Sequence, residues 1–137
     1  MIVVDTNIIS YLYISGDRSQ HSEDLLSFDS NWAAPILWRS EFRNVLTQYL
    51  RKNLLNIDEI LLIIQQAEKL LTDHEYEISS THIMQLVKSS RCSAYDCEFV
   101  ALAQYLDVPL ITADKKILRQ FPKITQTAES HLAERFA

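Results

Sequence analysis

Two aspartates each follow a short apolar run that is typical of a buried strand. Asp5 comes directly after Ile2–Val4, and Asp114 comes two residues after the run 108–112. Ligands of open α/β sheets bind outside the carboxyl ends of the strands, so both carboxylates are expected at one edge of a sheet. Each aspartate alone is equally typical of a helix N-cap. The pair, rather than either residue, therefore indicates a functional site.

A third acid, Asp96, lies on a helix face that should be buried. On a helical wheel, Phe99, Val100 and Ala103 fall within about 60° of it. A buried carboxylate is costly unless it is paired, hydrogen-bonded or bound to a metal ion. The alternative is that Asp96 forms a capping box with Ser93 at the start of the helix.

Two glutamates are weaker candidates. Glu41 lies roughly 80° from the centre of the apolar face of a predicted helix over 37–50, at the border of the core. Its alternative role is a solvated glutamate that pairs with Arg39 or Arg43. Glu98 points about 160° away from the apolar centre of its helix, and this direction excludes it from the predicted site.

Gathered carboxylates are expected to bind a hard cation. Two carboxylates about 4 Å apart repel by on the order of 4 kcal/mol at an effective dielectric constant of about 20. Oxygen ligands without nitrogen or sulfur partners favour Mg²⁺ or Mn²⁺ over zinc. The four histidines have no ligand spacing, and two cysteines cannot form a zinc site alone. A site for Mg²⁺ or Mn²⁺ is therefore predicted where the acids meet.

Glycine content excludes several other chemistries, because Gly16 is the only glycine. The GxGxxG turn, the P-loop and the GxSxG nucleophile elbow each need more than one glycine. Phosphatases with an aspartate nucleophile need a motif such as DxD after the first strand, and here Asp5 is followed by Thr6-Asn7.

The elements that must position the acids alternate between strands and helices. This alternation predicts an α/β fold with a central parallel sheet and helices on both faces. Besides the runs that precede Asp5 and Asp114, weaker strands are predicted at 32–34, around Tyr76 and Ile78, and at 124–125 on an edge. One helix is predicted to begin at about Ile8, and a short one follows Asp114 and ends at about Arg119. Further helices are predicted over about 21–29 and over 37–50, 56–71, 81–88, 93–106 and 128–136.

Length and composition indicate one domain over residues 1–137. Hydrophobic residues make up 47% and charged residues 23%, as in ordinary globular proteins. The net charge of −5 argues against nonspecific coating of nucleic acid, which requires clustered cations. No apolar run reaches the roughly 20 residues of a membrane span, and the N-terminus lacks the features of a signal peptide. Cys92 and Cys97 fit a reducing cytoplasm.

One segment is too apolar for a single core face. It contains ten aliphatic residues between Leu54 and Leu71, and five of them are consecutive at 60–64. They span more than one helical turn, so they cannot all face one core. Either the helix is buried on both sides inside the domain, or it forms a protein interface.

Three stretches resemble the PIN domain, and more narrowly the VapC-type toxins of bacteria. They are VVDTNIIS at the N-terminus, SEFRNVL at 40–46 and SAYDCEFVALAQYLDVPLITADKKIL at 93–118. The resemblance covers nearly the whole chain in order. It implies hydrolysis of RNA that leaves a 5′-phosphate and a 3′-hydroxyl. It also implies a cognate antitoxin that inhibits the enzyme, and a toxin homodimer.

The resemblance assigns roles to individual residues. Asp5, Glu41, Asp96 and Asp114 fall on the acidic, metal-binding positions of the family. Thr6, Asn7 and Thr112 fall on its polar supporting positions, and Thr112 can orient a ligating carboxylate by hydrogen bonding. Candidate cations for the RNA backbone are Lys115, Lys116, Arg119 and Lys123 after the last acid, and Arg39, Arg43, Lys88 and Arg91 elsewhere.

Two alternatives remain open at this point. The first is a stand-alone PIN nuclease that processes RNA without an antitoxin. The second is a catalytically silent PIN-like module that only binds a partner, and retention of all four acids argues against it. The RNA target and the number of metal ions do not follow from the residues.

Overall fold

The computed structural model describes residues 1–136, in which five strands form one parallel sheet. The strands are β1 (Ile2–Val4), β2 (Trp32–Pro35), β3 (Glu75–Tyr76), β4 (Leu110–Ile111) and β5 (Thr125–Gln126). Their order is β3-β2-β1-β4-β5, and every neighbouring pair is parallel. The predicted parallel α/β fold is therefore confirmed, with the most apolar strand in the centre.

Helices separate successive strands along the chain. They are α1 (Thr6–Tyr13), α2 (Ser19–Phe28), α3 (Trp38–Arg51), α4 (Ile57–Leu70), α5 (Ser80–Ser89), α6 (Ala94–Leu106), α7 (Lys115–Gln120) and α8 (Ala128–Ala133). A 3-10 turn over Glu134–Phe136 follows α8. The predicted last helix, 128–136, thus divides into two shorter pieces.

Both faces of the central strand are covered. Ile2, Val3 and Val4 are all fully buried, although alternate side chains of a strand point to opposite faces. Helix α6 packs on β1, β2 and β4, and α5 packs against α6. In α6, Phe99 and Val100, which were predicted to face the sheet, are buried as expected. This arrangement holds the start of α6 over the centre of the sheet.

The shorter strands differ from the sequence prediction at their ends. Strand β3 begins and ends earlier than predicted, because its register is set by β2, where Ala34 N donates to His74 O and Ile36 N donates to Tyr76 O. Strand β5 lies at Thr125–Gln126, one residue later than predicted, and it is an edge strand as expected.

Helix α4 begins with the predicted capping box, and one of its sides is exposed to solvent. Asn56 and Glu59 form the predicted capping box, with hydrogen bonds of 2.8 and 3.0 Å. Ile60 is buried, whereas Leu61 and Leu62 are 56% and 54% exposed. Burial of the helix on both sides inside the domain is thereby excluded. No helix within residues 1–136 is long and apolar enough to cross a membrane.

A cluster around Arg39 ties α3 to β3 and α4. Its guanidinium donates to both carboxylate oxygens of Glu75, at 2.6 and 2.7 Å, and to Glu68 at 3.1 Å. The indole of Trp38 donates a third hydrogen bond to Glu75, at 2.7 Å. Arg39 is thus a structural residue that pairs with Glu75 rather than with Glu41.

Candidate active site

The carboxylate of Asp5 lies at the end of β1, beside the residue that follows β4. The parallel register pairs Val4 with Ile111 and so places Asp5 next to Thr112. Thr112 Oγ1 donates a hydrogen bond of 2.6 Å to Asp5 Oδ2, and Thr6 N donates one of 2.8 Å to Asp5 Oδ1. Both carboxylate oxygens are therefore held in a fixed orientation.

The environment of Asp5 opposes its negative charge. Burial raises its pKa from 3.8 to about 6, because a carboxylate loses its hydration inside the protein. Hydrogen bonds from Thr112 and Thr6 lower the pKa in part, and the charges of Glu41 and Asp96 raise it further. Among residues 1–136, no positively charged side chain contributes to lowering it. The site is thus short of positive charge.

Glu41 reaches the same site from the first turn of α3. Its Oε1 accepts a hydrogen bond of 2.8 Å from Thr6 Oγ1. Because the backbone N of Thr6 also donates to Asp5, Thr6 links the two carboxylates. Burial raises the pKa of Glu41, the hydrogen bond from Thr6 lowers it, and the charges of Asp96 and Glu98 raise it. The solvated pairing predicted as the alternative for Glu41 is therefore excluded.

Asp96 is half-buried in the first turn of α6, and its predicted capping role is present. It forms a capping box with Ser93, with hydrogen bonds of 3.0 and 3.4 Å. Its charge also acts on the carboxylates of Asp5 and Glu41. Three acids from β1, α3 and α6 therefore lie within electrostatic reach of one another.

Glu98 corrects a sequence prediction. The helical wheel pointed this residue away from the acids, yet its charge raises the pKa of Glu41, and burial raises the pKa of Glu98 itself. The wheel fails because α6 packs both on the sheet and against α5, so its buried surface has no single direction. A buried helix with an acid on its second turn was the signal that could have found it.

Asp114, like Asp5, is the N-cap of the helix that follows it. Its Oδ1 caps α7 by accepting hydrogen bonds from Lys116 N at 2.8 Å and Ile117 N at 3.1 Å. Its backbone N donates to Thr112 Oγ1 at 3.0 Å. Thr112 thus lies between Asp114 and Asp5, with a hydrogen bond to each. The N-cap role that was the alternative for both aspartates is therefore present at Asp114 and at Asp5.

The donors fit a divalent cation in kind, although their arrangement is not that of a formed metal site. Within residues 1–136, no three His, Cys, Asp or Glu side chains are arranged to hold one ion. The reason is that the carboxylates of Asp96 and Asp114 turn towards backbone amides at their helix starts. Oxygen donors alone, among them the buried Asp5 and the half-buried Glu41 with raised pKa values, suit Mg²⁺ or Mn²⁺.

Asn7 supports the site from the start of α1. Its Nδ2 donates to Asp5 Oδ2 at 3.4 Å, and its Oδ1 accepts from Ala113 N at 3.3 Å. The side chain therefore bridges α1 and the loop that follows β4. Together with Thr6 and Thr112, it is brought to the predicted acids as expected.

A groove of about 780 Å³ opens beside the acids. Thr6, Asn7 and Glu41 line its inner end, and Arg18 lines it further out. Arg18 was not among the predicted cations, because nothing in the sequence indicated that the loop before α2 folds back over α1. The groove gives an extended ligand access to the acidic end of the sheet.

The predicted RNA-binding cations divide into two groups. Lys115, Lys116, Arg119 and Arg43 are exposed on α7 and α3, the two helices that follow or carry site acids. Lys123 instead precedes β5, so it lies at the opposite edge of the parallel sheet. Lys123 is therefore placed away from the predicted acids.

The cysteines do not take part in the site as ligands. Cys92 and Cys97 are buried free thiols, and burial raises the pKa of both. Thiols with raised pKa values stay protonated at neutral pH, and only the thiolate is a strong metal ligand. This agrees with the predicted oxygen-only donor set.

The PIN domain family matches residues 2–124 of the chain. A curated relative, Ribonuclease VapC3 of Pyrobaculum aerophilum, is 28% identical over 126 residues, which are 90% of this chain and 96% of the relative. The crystal structure of PAE2754 from Pyrobaculum aerophilum superposes with a TM-score of 0.73 at 17% identity. It covers 97% of this chain and 94% of that protein, and at this identity the likeness concerns the fold alone.

Proposed function

The chain belongs to the PIN-domain family, and from this premise we propose that it is a metal-dependent endoribonuclease that hydrolyses RNA phosphodiesters. The observation that carries the proposal is the environment of Asp5, a buried acid with a pKa of about 6 beside two further acids. Such a group is costly to ionise unless a cation binds. The similarity to a protein named as a ribonuclease supports RNA as the substrate.

Each residue at the site has a definite task in this reaction. When bound, Mg²⁺ or Mn²⁺ supplies positive charge that polarises the phosphate and lowers the pKa of an attacking water. Asp5, Glu41, Asp96 and Asp114 would hold it through carboxylate oxygens. Thr112 and Thr6 keep the carboxylates of Asp5 and Glu41 oriented by hydrogen bonds of 2.6 and 2.8 Å. No nucleophilic side chain is required. The resemblance to PIN nucleases implies products with a 5′-phosphate and a 3′-hydroxyl.

The test is cleavage of end-labelled single-stranded RNA with Mg²⁺ or Mn²⁺ and with EDTA. We expect cleavage with metal, none with EDTA, and loss of cleavage in Asp96→Asn. Asp107→Asn is the matched control, because Asp107 lies at the other end of α6 in a left-handed conformation that asparagine tolerates. Cleavage that persists in EDTA, or in Asp96→Asn at the wild-type rate, would reject the proposal.

We further propose that the enzyme is the toxin of a toxin–antitoxin pair, is held by a cognate antitoxin and forms a homodimer. The relative named VapC3 supports the toxin assignment. The exposed apolar residues of α4 support a protein partner, because monomers rarely leave large apolar patches in water. Leu54, Ile57, Leu61 and Leu62 are each more than half exposed. The two buried free thiols suit a reducing cytoplasm.

Light scattering and growth assays test the partners. Leu61→Glu with Leu62→Glu should lower the mass of the free protein or weaken its inhibition by a co-expressed antitoxin. Lys69→Glu on the same helix, where the residue is exposed and charged, is the control. A wild-type monomer at tens of micromolar that no antitoxin inhibits would favour the alternative of a stand-alone RNA-processing nuclease. A small DNA-binding protein encoded directly upstream would favour the toxin.

A further inference from the structure

A second, smaller pocket lies on the other side of Thr112 from the acidic site. It encloses about 150 Å³ between α1, α2, α7 and α8. Its walls include Ile8, Tyr11, Leu118 and Ala128, which are apolar or aromatic. Thr112 lines this pocket and also donates to Asp5 Oδ2, so the pocket begins one residue from the site.

Tyr11 and Arg18 form the boundary between this pocket and the large groove. Both residues line both cavities. The guanidinium carbon of Arg18 lies 5.6 Å from the centroid of the Tyr11 ring, within the range of a cation–π contact. The stacked pair therefore presents an aromatic ring and a cation along a path from the groove to the pocket.

The mouth of the pocket carries positive charge in a chain whose net charge is negative. Arg18 and Lys115 line it, and both are exposed. His21 and Glu129 also line it, and His21 Nδ1 lies 2.9 Å from Glu129 Oε1. Arg18 and Lys115 are thus two exposed cations on the lining of a mainly apolar pocket.

We propose that this pocket binds one base of the RNA beside the cleaved phosphodiester, with Arg18 and Lys115 holding the flanking phosphates. A cavity of about this volume admits a benzene-sized ring. Apolar and aromatic walls suit the faces of a base, and cations at the mouth suit its phosphates. A base stacked in a duplex cannot enter, so the substrate is single-stranded RNA. The inference rests on the proposed ribonuclease function.

Abasic substitution tests the pocket directly. Single-stranded RNAs in which one base at a time is removed near the cleavage site keep the backbone but lose the group that fills the pocket. For the wild type, we expect one abasic position to raise KM by about 10-fold or more, because stacking of a base on an aromatic ring contributes on this scale. In Tyr11→Ala, the same abasic position should change KM by less than about 2-fold.

Matched controls separate binding from folding. Tyr105→Ala removes a tyrosine that is 75% exposed at the far end of α6, and Lys123→Ala removes a cation at the opposite edge of the sheet. Both should keep the wild-type response to abasic RNA. Arg18→Ala should raise KM for every RNA alike and leave kcat within about 3-fold. Thermal unfolding verifies that each variant is folded, and Tyr11→Phe, which keeps the ring, should restore the response to the abasic position that Tyr11→Ala loses.

The outcomes distinguish this inference from the proposed function. Absence of metal-dependent cleavage by the wild type contradicts the ribonuclease assignment. In that case, binding to the pocket is tested without cleavage. The anisotropy of labelled intact and abasic RNAs, measured with the protein in EDTA, reports their affinity. A uniform response to abasic positions, or the same response in Tyr11→Ala and Tyr105→Ala, overturns the base pocket even if cleavage is normal.

Discussion

Glu75 and Asp5 are acids of the same sheet in opposite electrostatic environments. At Glu75, Arg39 and Trp38 donate hydrogen bonds to the carboxylate and lower its pKa. At Asp5, burial and neighbouring acids raise the pKa to about 6. Within residues 1–136, a cation contacts the acid at the edge of the sheet, and none lowers the pKa of the acid at its centre. We therefore expect the central acids to depend on a cation from outside the chain.

The largest expected difference between the two acids is in the rate of RNA cleavage after each is exchanged for its amide. Asp5→Asn should lower the rate of metal-dependent cleavage by about 10³-fold or more, since it removes one carboxylate that polarises the reaction centre through a metal. Glu75→Gln should keep the rate within about 3-fold. Single-turnover cleavage of one RNA measures both. Equal losses in the two variants would break the comparison.

The stability of the two variants should change in opposite directions. The folded-state pKa of Asp5 is raised, so the folded protein binds more protons and its stability falls as pH rises from about 4 to about 6. Above this window, metal-free Asp5→Asn should be more stable than the wild type by up to about 3 kcal/mol, and below pH 4 the difference should vanish.

Glu75→Gln should show the reverse dependence. The folded-state pKa of Glu75 is lowered, so its contribution is present above its unfolded value and is lost as pH falls. At neutral pH the variant should be less stable by about 2 kcal/mol, the scale of hydrogen bonds to a charged group. Urea unfolding between pH 3 and 8 measures both variants. A pH profile of the same sign for the two would contradict the opposite environments.

Thr112 offers a smaller and more specific test. Thr112→Val keeps the shape of the side chain but removes the donor to Asp5 and the acceptor from Asp114 N. Loss of a residue that orients a ligand typically costs about 10- to 100-fold in activity or metal affinity. Thr112→Ser should restore most of it, because the hydroxyl is kept. Cleavage by the valine variant at the wild-type rate would show that Asp5 needs no support.

The sequence was sufficient for the parts of the fold that follow from local pattern. The apolar runs before Asp5 and Asp114 predicted two buried strands of a parallel sheet. The structure pairs these strands directly, and their parallel register brings Asp5 next to Thr112. The capping box of Asn56 and Glu59 fixed the start of α4. These features depend on residues that are close in sequence or on the edge that parallel strands share.

The parts that could not be predicted depend on packing between distant elements. The charge of Glu98 raises the pKa of Glu41 although a helical wheel points Glu98 away from the acids. Helix α6 packs on the sheet and against α5, and a wheel drawn for a single buried face cannot represent this. Arg39 pairs with Glu75, 36 residues away, rather than with Glu41 on its own helix. Arg18 reaches Tyr11 through the fold of a loop without periodicity.

We expect a divalent metal ion to supply the positive charge that the central acids lack. Thermal unfolding with and without such an ion is the most direct test of this expectation. Millimolar Mn²⁺ or Mg²⁺, against NaCl of equal ionic strength, should raise the Tm of the wild type by at least about 4 °C at pH 7.5, since an ion that binds only the folded state stabilises it. Glu75→Gln should gain as much. Asp5→Asn should start higher and gain little. A wild-type Tm that does not respond to either metal, or a gain that Asp5→Asn shares in full, would contradict this explanation of the site.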